Sequence, residues 1–158
     1  MRDVILKVGV VAERRAIDNP WIDHLWEPVA VLPDVPETAE WTCLHRAEGC
    51  ERYYIGSADV VLAVTNTAQY RDNLMSPPPR YFVALSETDG DRPLRIVGVT
   101  ADPMEAESYT ESVGMIVAAL PMDPAHAAAI AEFVDTHHVE RAFVKRQRKR
   151  HRDGEGAT

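Results

Sequence analysis

The sequence predicts an α+β fold: a mainly antiparallel bent sheet or small barrel of about seven strands, capped by a C-terminal helix, with two short inserted helices. Short segments rich in β-branched and aromatic residues follow one another along the chain, separated by Gly, Pro, Asn and Asp. Two brief segments between them have helical periodicity. A longer helix is indicated near the end by apolar residues at helical spacing, namely Ile130, Phe133, Val134 and His137.

The first half of the chain is predicted to consist of strands. The apolar run Val4–Ala12 is the first of them, and Gly9 inside it indicates a bulge or the close approach of another backbone. Glu48-Gly49 is typical of a hairpin turn, which places a strand on each side of it. The remaining strands of this half are predicted over 28–32, 41–47, 52–55 and 58–64.

The second half is predicted to alternate helices and strands. Residues 67–75 form the first helix, with Thr65, Asn66 or Thr67 as its cap. The segment Asp102–Glu105 is a capping box with Pro103 at the first helical position, so a short helix begins there. Asp123-Pro124 predicts the start of the last helix in the same way. Strands are predicted over 81–85, 94–100 and 115–120.

Composition and charge predict one globular domain followed by a basic arm. The hydrophobic fraction of 46% and charged fraction of 27% are ordinary for a soluble protein. Residues 1–144 hold 11 Lys and Arg against 23 Asp and Glu, a net charge of −12, and are expected to form a single α+β domain. Residues 145–158 hold 6 against 2, a net charge of +4. No apolar run approaches the ~20 residues of a membrane span, and the first residues resemble a strand and no signal peptide, so we expect a cytoplasmic protein.

The basic tail is expected to be a solvated arm. Its cations are Lys145, Arg146, Arg148, Lys149, Arg150 and Arg152. Because no aromatic residues alternate with them, sequence-specific nucleic-acid binding is not expected, and the acidic body argues against a broad nucleic-acid surface. Weak attachment to nucleic acid or another anionic surface through the tail is an alternative. In a cytoplasmic chain, Cys43 and Cys50 are expected to be structural thiols without a disulfide.

The most distinctive segment is Glu13–Trp26, which the sequence predicts to be a loop between the first two strands. It is longer than most connections, and it carries large amphipathic side chains where turn-forming residues are usual. Such a loop is more typical of a contact surface than of a simple turn. The predicted partner-binding residues are Arg14, Arg15, Asn19, Trp21, Asp23, His24 and Trp26.

No residue combination in the sequence points to a catalytic centre. His24 lies next to Asp23, but no Ser or Cys occurs in a glycine-flanked turn that would make it a nucleophile. Glycine-rich phosphate loops are missing, and neither the cysteines nor His137-His138 have the spacing of a metal site. We therefore predict no catalytic residues, no metal and no cofactor.

Several motifs resemble those of a bacterial family of unknown function. They are Glu13-Arg-Arg, Asn19-Pro-Trp-x-Asp-His-x-Trp-x-Pro-Val29, Pro79-x-Tyr-Phe-Val83, Glu105-Ala106, Pro121-Met122, His137-His-Val139 and Phe143-x-Lys-Arg-x-Arg148. Members of that family tend to be encoded beside molybdenum-dependent formate dehydrogenase and its maturation factors. Some carry the label molybdopterin-guanine dinucleotide biosynthesis.

The resemblance implies an accessory role around a molybdoenzyme. We expect a non-catalytic adaptor that contacts a molybdoenzyme subunit or maturation factor through the predicted loop. The alternative is a protein of molybdenum cofactor biosynthesis that handles a pterin or nucleotide. In that case Trp21 and Trp26 would stack on the ring, while Arg14 and Arg15 would hold the phosphate.

Overall fold

The computed structural model describes residues 3–138. Within them lie seven strands, namely β1 Val4–Ala16, β2 His24–Leu32, β3 Thr42–Ala47, β4 Cys50–Leu62, β5 Arg80–Glu87, β6 Leu94–Thr100 and β7 Met115–Pro121. Two helices are α1 Thr67–Leu74, which follows a 3-10 turn at Val64–Asn66, and α2 Pro103–Thr110. A third helix, α3, is described over 124–138. The basic tail predicted over 145–158 lies outside the described residues.

The strands form two antiparallel sheets. The first has the order β2-β1-β4-β3 and the second the order β6-β5-β7. The α+β class, the seven antiparallel strands and the late helix are thereby confirmed. Over residues 3–138, however, the strands divide between two sheets and form no closed barrel. The sheets lie against each other, with β2 beside β7 and β4 beside β6.

One hydrophobic core joins the two sheets. On β1, Val8, Val10 and Ala12 are fully buried, and they point to the same side because strand residues alternate. Residues of β5 and of α3 belong to the same cluster, including Val83 and Ile130. This core defines the inner face of the first sheet. The outer face carries the alternate side chains of β1.

The first sheet bends at a pair of bulges. β4 contains one extra residue, Ile55, opposite Val10 and Val11 of β1. β2 contains one extra residue, Val29, at nearly the same level. A bulge bends and twists a sheet locally, and beyond this level β1 becomes exposed from Arg14 onward. At Gly9 the close neighbour is a side chain and not the predicted backbone, since a Cβ there would lie 3.1 Å from a ring carbon of Tyr54.

The predicted loop over Glu13–Trp26 is mostly strand, so that prediction is wrong. β1 continues to Ala16 and β2 begins at His24, which leaves only residues 17–23 as the connection. Arg14 pairs with Trp26, and other cross-strand pairs continue the ladder to the end. An antiparallel ribbon that leaves the core can carry charged side chains on a solvated face, so polarity alone did not identify a loop.

Two further expectations need correction. The predicted break at Gly56-Ser57 is absent, because β4 runs unbroken through it with Gly56 at φ 147°. Asn66 precedes α1 but makes no side-chain capping hydrogen bond. The predicted cap of α2 is confirmed, since Asp102 accepts from the backbone N–H groups of Met104 and Glu105 at 2.8 and 3.4 Å. Within residues 3–138, each helix falls short of the length and apolar content that crossing a bilayer requires.

Candidate functional site

The part of the first sheet beyond the bulges projects as a four-stranded ribbon. We call it the distal ribbon, and it comprises residues 12–16, 24–28, 42–47 and 50–54 with the tip at 17–23. Every residue of β3 is exposed. The predicted turn at Glu48-Gly49 joins β3 to β4, with Gly49 in the left-handed region at φ 75°. The distal ribbon is therefore an element with two solvent-accessible faces.

A row of side chains crosses the inner face of the distal ribbon. Register aligns Trp26, Arg14, Glu51 and Arg46 on adjacent strands. The carboxylate of Glu51 accepts from Arg14 Nη1 at 3.4 Å and forms an ion pair with Arg46 Nε at 2.9 Å. Because two cations share one anion, the row keeps a positive charge. The Arg14 side chain is 44% exposed.

An aromatic cluster adjoins this row. The ring centroids of Trp26 and Trp41 are 5.6 Å apart and perpendicular, and each ring lies 5.8 Å from Tyr53. Trp26 is buried, whereas Trp41 and Tyr53 are half-buried. Trp41 has φ 68°, a conformation that is uncommon for a bulky residue and costs ~1–3 kcal/mol. The rings of His24 and Trp26 are perpendicular, with their centroids 6.2 Å apart.

These side chains line a groove along the inner face. It consists of two cavities of about 330 and 420 Å³ that share Arg14 and His24. The first cavity extends past Asp23 and Arg46 towards the β3–β4 turn. The second extends over Trp41 and Tyr53 to Asp91, Arg92 and Pro93 in the turn between β5 and β6. We call this surface the inner groove.

The outer face of the distal ribbon carries a separate polar network. Glu13 is buried, and its Oε1 accepts from Cys50 Sγ at 2.9 Å and from Arg52 Nε at 3.1 Å. The hydrogen bond from the thiol is the largest reason why the pKa of Glu13 lies below its usual range, and Arg52 adds to it. The same hydrogen bond raises the pKa of Cys50. Arg15 pairs with Glu27 at 3.0 Å on this face.

The tip presents one large indole to solvent. Trp21 is 86% exposed, and its backbone N–H donates to Asn19 Oδ1 at 2.8 Å. The same oxygen accepts from the N–H of Ile22 at 3.3 Å. The Asn19 side chain therefore holds the backbone of the tip in a turn through these two hydrogen bonds.

The structure separates the predicted site residues into three groups. Arg14, Asp23, His24 and Trp26 line the inner groove, Arg15 lies on the outer face, and Asn19 and Trp21 form the tip. A ligand held by both arginines and stacked between both indoles therefore has no corresponding site. Sequence reasoning missed other groove residues, namely Trp41, Arg46, Glu51, Tyr53 and Arg92. Strand alternation would have indicated Glu51 and Tyr53, but only the tertiary packing brings Arg92 to the groove.

The chemistry available at the inner groove is recognition. Guanidiniums pair with carboxylate or phosphate groups, and the half-buried aromatic rings offer an apolar surface. Neither cysteine forms a disulfide: Cys43 is exposed, while Cys50 lies on the opposite face bonded to Glu13. Among residues 3–138, no three His, Cys, Asp or Glu side chains converge as they would to hold a metal ion.

Comparison with known proteins places the chain in a family without assigning it an activity. No curated protein matches it. No solved structure matches it either. The family described as "Protein of unknown function (DUF3305)" matches residues 7–148, which is most of the chain and includes the whole distal ribbon. The protein therefore belongs to the DUF3305 family.

Proposed function

We propose that this protein is a non-catalytic accessory protein that docks onto a protein partner through the tip of the distal ribbon. The observation that carries the proposal is the exposure of Trp21, at 86% of its surface. Tryptophan is strongly enriched among the residues that dominate interface energies, because it buries a large rigid surface on binding. An indole left in water at the end of a projecting ribbon fits this role.

The surroundings of Trp21 support a protein–protein contact. Ile22, the next residue in sequence, and Leu25, near the start of β2, are 45% and 44% exposed. The charged pair Arg15 and Glu27 lies on the neighbouring outer face of the ribbon. An apolar centre with a polar rim is typical of interfaces between soluble proteins. Arg15 and Glu27 would supply orientation and association rate more than affinity.

For the partner, we propose a subunit or maturation factor of a formate dehydrogenase-type molybdoenzyme. The support for this partner is the resemblance of the motifs around Asn19–Val29 to the bacterial family encoded beside such enzymes. The adaptor's contribution would be to hold the partner during assembly. No step of that role requires a catalytic group on this chain.

The test is affinity capture with the tagged full-length chain from cells that produce a molybdenum-dependent formate dehydrogenase. We expect an enzyme subunit or maturation factor in the eluate. Trp21→Ala should weaken binding of the purified partner by more than about 30-fold, which corresponds to ~2 kcal/mol.

Val113→Ala is the matched control, because Val113 is fully exposed in the turn before β7, outside the distal ribbon. Its affinity for the partner should equal that of the parent chain. Capture of neither a subunit nor a maturation factor would overturn the molybdoenzyme role. Equal binding by the Trp21→Ala variant would overturn the tip as the docking surface.

A further inference from the structure

We propose that the inner groove binds an extended peptide in which an acidic residue and an aromatic residue are two positions apart, so that both side chains point to the same side. This inference rests on the proposed function, because it names the segment that the partner supplies to the adaptor. The groove is distinct from the exposed indole of the tip. Trp21 does not line it, and Trp26, Trp41 and Tyr53 do.

The acidic residue is inferred from the state of Arg14. Its guanidinium lies 3.4 Å from Glu51, and the same carboxylate is held more closely by Arg46 at 2.9 Å. Arg14 therefore retains donors for a second anion, and a planar guanidinium favours bidentate pairing with a carboxylate. Asp23 and Asp91 each line only one of the two cavities, whereas Arg14 lines both. The anion is expected at the middle of the groove.

A second guanidinium supports this charge assignment. Arg92 lines the larger cavity and donates to the backbone oxygen of Glu40 at 3.4 Å. It forms no ion pair with any residue in the range 3–138. The larger cavity therefore holds two guanidiniums, those of Arg14 and Arg92, against one carboxylate, that of Asp91.

The aromatic residue is inferred from the rings in the larger cavity. Trp41 and Tyr53 are half-buried, 5.8 Å apart and inclined by 47°, and Trp26 closes the space behind them. The positive φ of Trp41 places its ring over Trp26 and Tyr53 at a conformational cost, which the packing of the rings offsets. A peptide aromatic ring would bury the exposed parts of Trp41 and Tyr53 and gain edge or offset contacts.

The form of the groove favours a peptide. The two cavities are consecutive along one sheet face, with Arg14 and His24 between them. Side chains of an extended segment alternate in direction, so residues two positions apart point to the same side at a spacing of ~7 Å and reach adjacent parts of such a groove. Each cavity is at the small end of the range for ligand pockets, and each is of the size to receive one side chain.

The test is titration of the ¹⁵N-labelled full-length chain with the hexapeptide acetyl-SGEGFS-amide, followed by NMR. The three indole N–H signals, assigned with single Trp→Phe variants, report separately on Trp21, Trp26 and Trp41. We expect saturable shifts for Trp26 and Trp41 with a dissociation constant of ~0.1–1 mM, and no shift for Trp21. No saturable shift of Trp41 would overturn the proposal.

Matched peptides and variants test the chemistry. The peptides acetyl-SGQGFS-amide and acetyl-SGEGAS-amide should each bind at least about fivefold more weakly, the loss of ~1 kcal/mol of a charged pair or an aromatic contact. Arg14→Gln should have the same effect, and Arg14→Lys should recover part of the binding. Arg15→Gln is the control on the outer face, because Arg15 has similar exposure at 50%. Equal weakening by Arg14→Gln and Arg15→Gln would refute the groove.

The result is separable from the proposed function. Trp21→Ala should leave the peptide affinity unchanged while it weakens partner capture. If the peptide does not bind but capture still depends on Trp21, the groove inference fails and the adaptor role stands. If the peptide binds while no molybdoenzyme component is captured, the proposed partner fails and the groove remains a peptide site.

Discussion

At the scale of the residue, the buried side chain of Asn73 forms hydrogen bonds with backbone groups that are distant in the chain. Asn73 is buried, and its amide nitrogen donates to the carbonyls of Arg80 and Ala101 at 2.7 and 2.9 Å. Its oxygen accepts from the Arg80 N–H at 3.0 Å. One side chain thereby ties α1 to the start of β5 and to the segment after β6. The sequence places Asn73 at the end of a predicted helix but gives no signal of these partners, because they are remote in the chain.

Glu13 supplies a prediction about pH. Its pKa is held below the usual range by the Cys50 thiol and the Arg52 guanidinium. A carboxyl group whose pKa falls on folding stabilises the fold above its unfolded pKa of ~4.3, and that stabilisation is lost as the pH falls through the folded value. Glu13→Gln should therefore lower the free energy of unfolding by ~1 kcal/mol at neutral pH, and by progressively less in acid. Urea unfolding at about pH 7 and about pH 3.5 measures the difference.

Glu27→Gln is the control for this experiment. Glu27 pairs with Arg15 on the same face, but both side chains are about half exposed, at 44% and 50%. Exposed pairs contribute ~0–1 kcal/mol, so this variant should differ little from the parent at either pH. A Glu13→Gln effect that stays constant between the two pH values would contradict the assigned role of the ionised carboxylate.

At the scale of the element, the sequence predicted where most strands lie but did not predict where they begin and end. Alternating or apolar segments such as Val4–Ala12 correctly located β1, and the two Asp-Pro pairs correctly located the starts of α2 and α3. The half of the distal ribbon formed by β1 and β2 was missed because many of its paired residues are charged or aromatic, whereas the β3–β4 hairpin at Glu48-Gly49 was predicted. Its strands are identified by backbone pairing across the sheet, which composition does not encode.

The packing of α2 on β6 gives a prediction at this scale. Gly98 in β6 lies beneath the Tyr109 side chain of α2, and a Cβ at Gly98 would overlap the Tyr109 hydroxyl. Gly98→Ala should therefore displace the ring and lower the free energy of unfolding by ~1–3 kcal/mol. Thermal unfolding of the single variant measures the cost.

Tyr109→Phe tests whether the Tyr109 hydroxyl causes the loss of stability. It removes the overlapping oxygen, while the ring carbon that carried the oxygen would be 3.3 Å from the new Cβ, a tight contact. In the Tyr109→Phe background, Gly98→Ala should cost less than half of its cost in the parent chain. An equal cost in both backgrounds would show that the tyrosine hydroxyl is not the obstacle.

At the scale of the whole molecule, the division into two sheets was beyond sequence reasoning. Strand order depends on contacts between remote segments, and the bulges that separate the distal ribbon from the core are defined only by register. The inner groove illustrates the same limit. Four of its side chains are each at least 12 residues from the next in the chain, namely Arg14, Trp41, Tyr53 and Arg92.

The shared core predicts that the two sheets unfold together. The hydrophobic cluster contains Val8 and Val10 of β1 as well as Val83 and Leu85 of β5. Native-state hydrogen exchange should give the slowest amides of β1 and β5 the same free energy of opening, equal to the global value. Amides of the exposed β3 should exchange at lower free energy. A clear difference between β1 and β5 would indicate two independent units.

The two extra residues beside β1 have a consequence for chain length. Each of the extra residues, Ile55 in β4 and Val29 in β2, shifts the register by one residue and so determines which side chains of its strand lie on the same face as Arg14. Deletion of both residues would move the side chains of Trp26, Glu51 and Tyr53 to the outer face, while Arg14 would stay on the inner face. Relatives that keep the groove should therefore tolerate insertions and deletions at the tip, over 17–23, and conserve the spacing on both flanks of the bend.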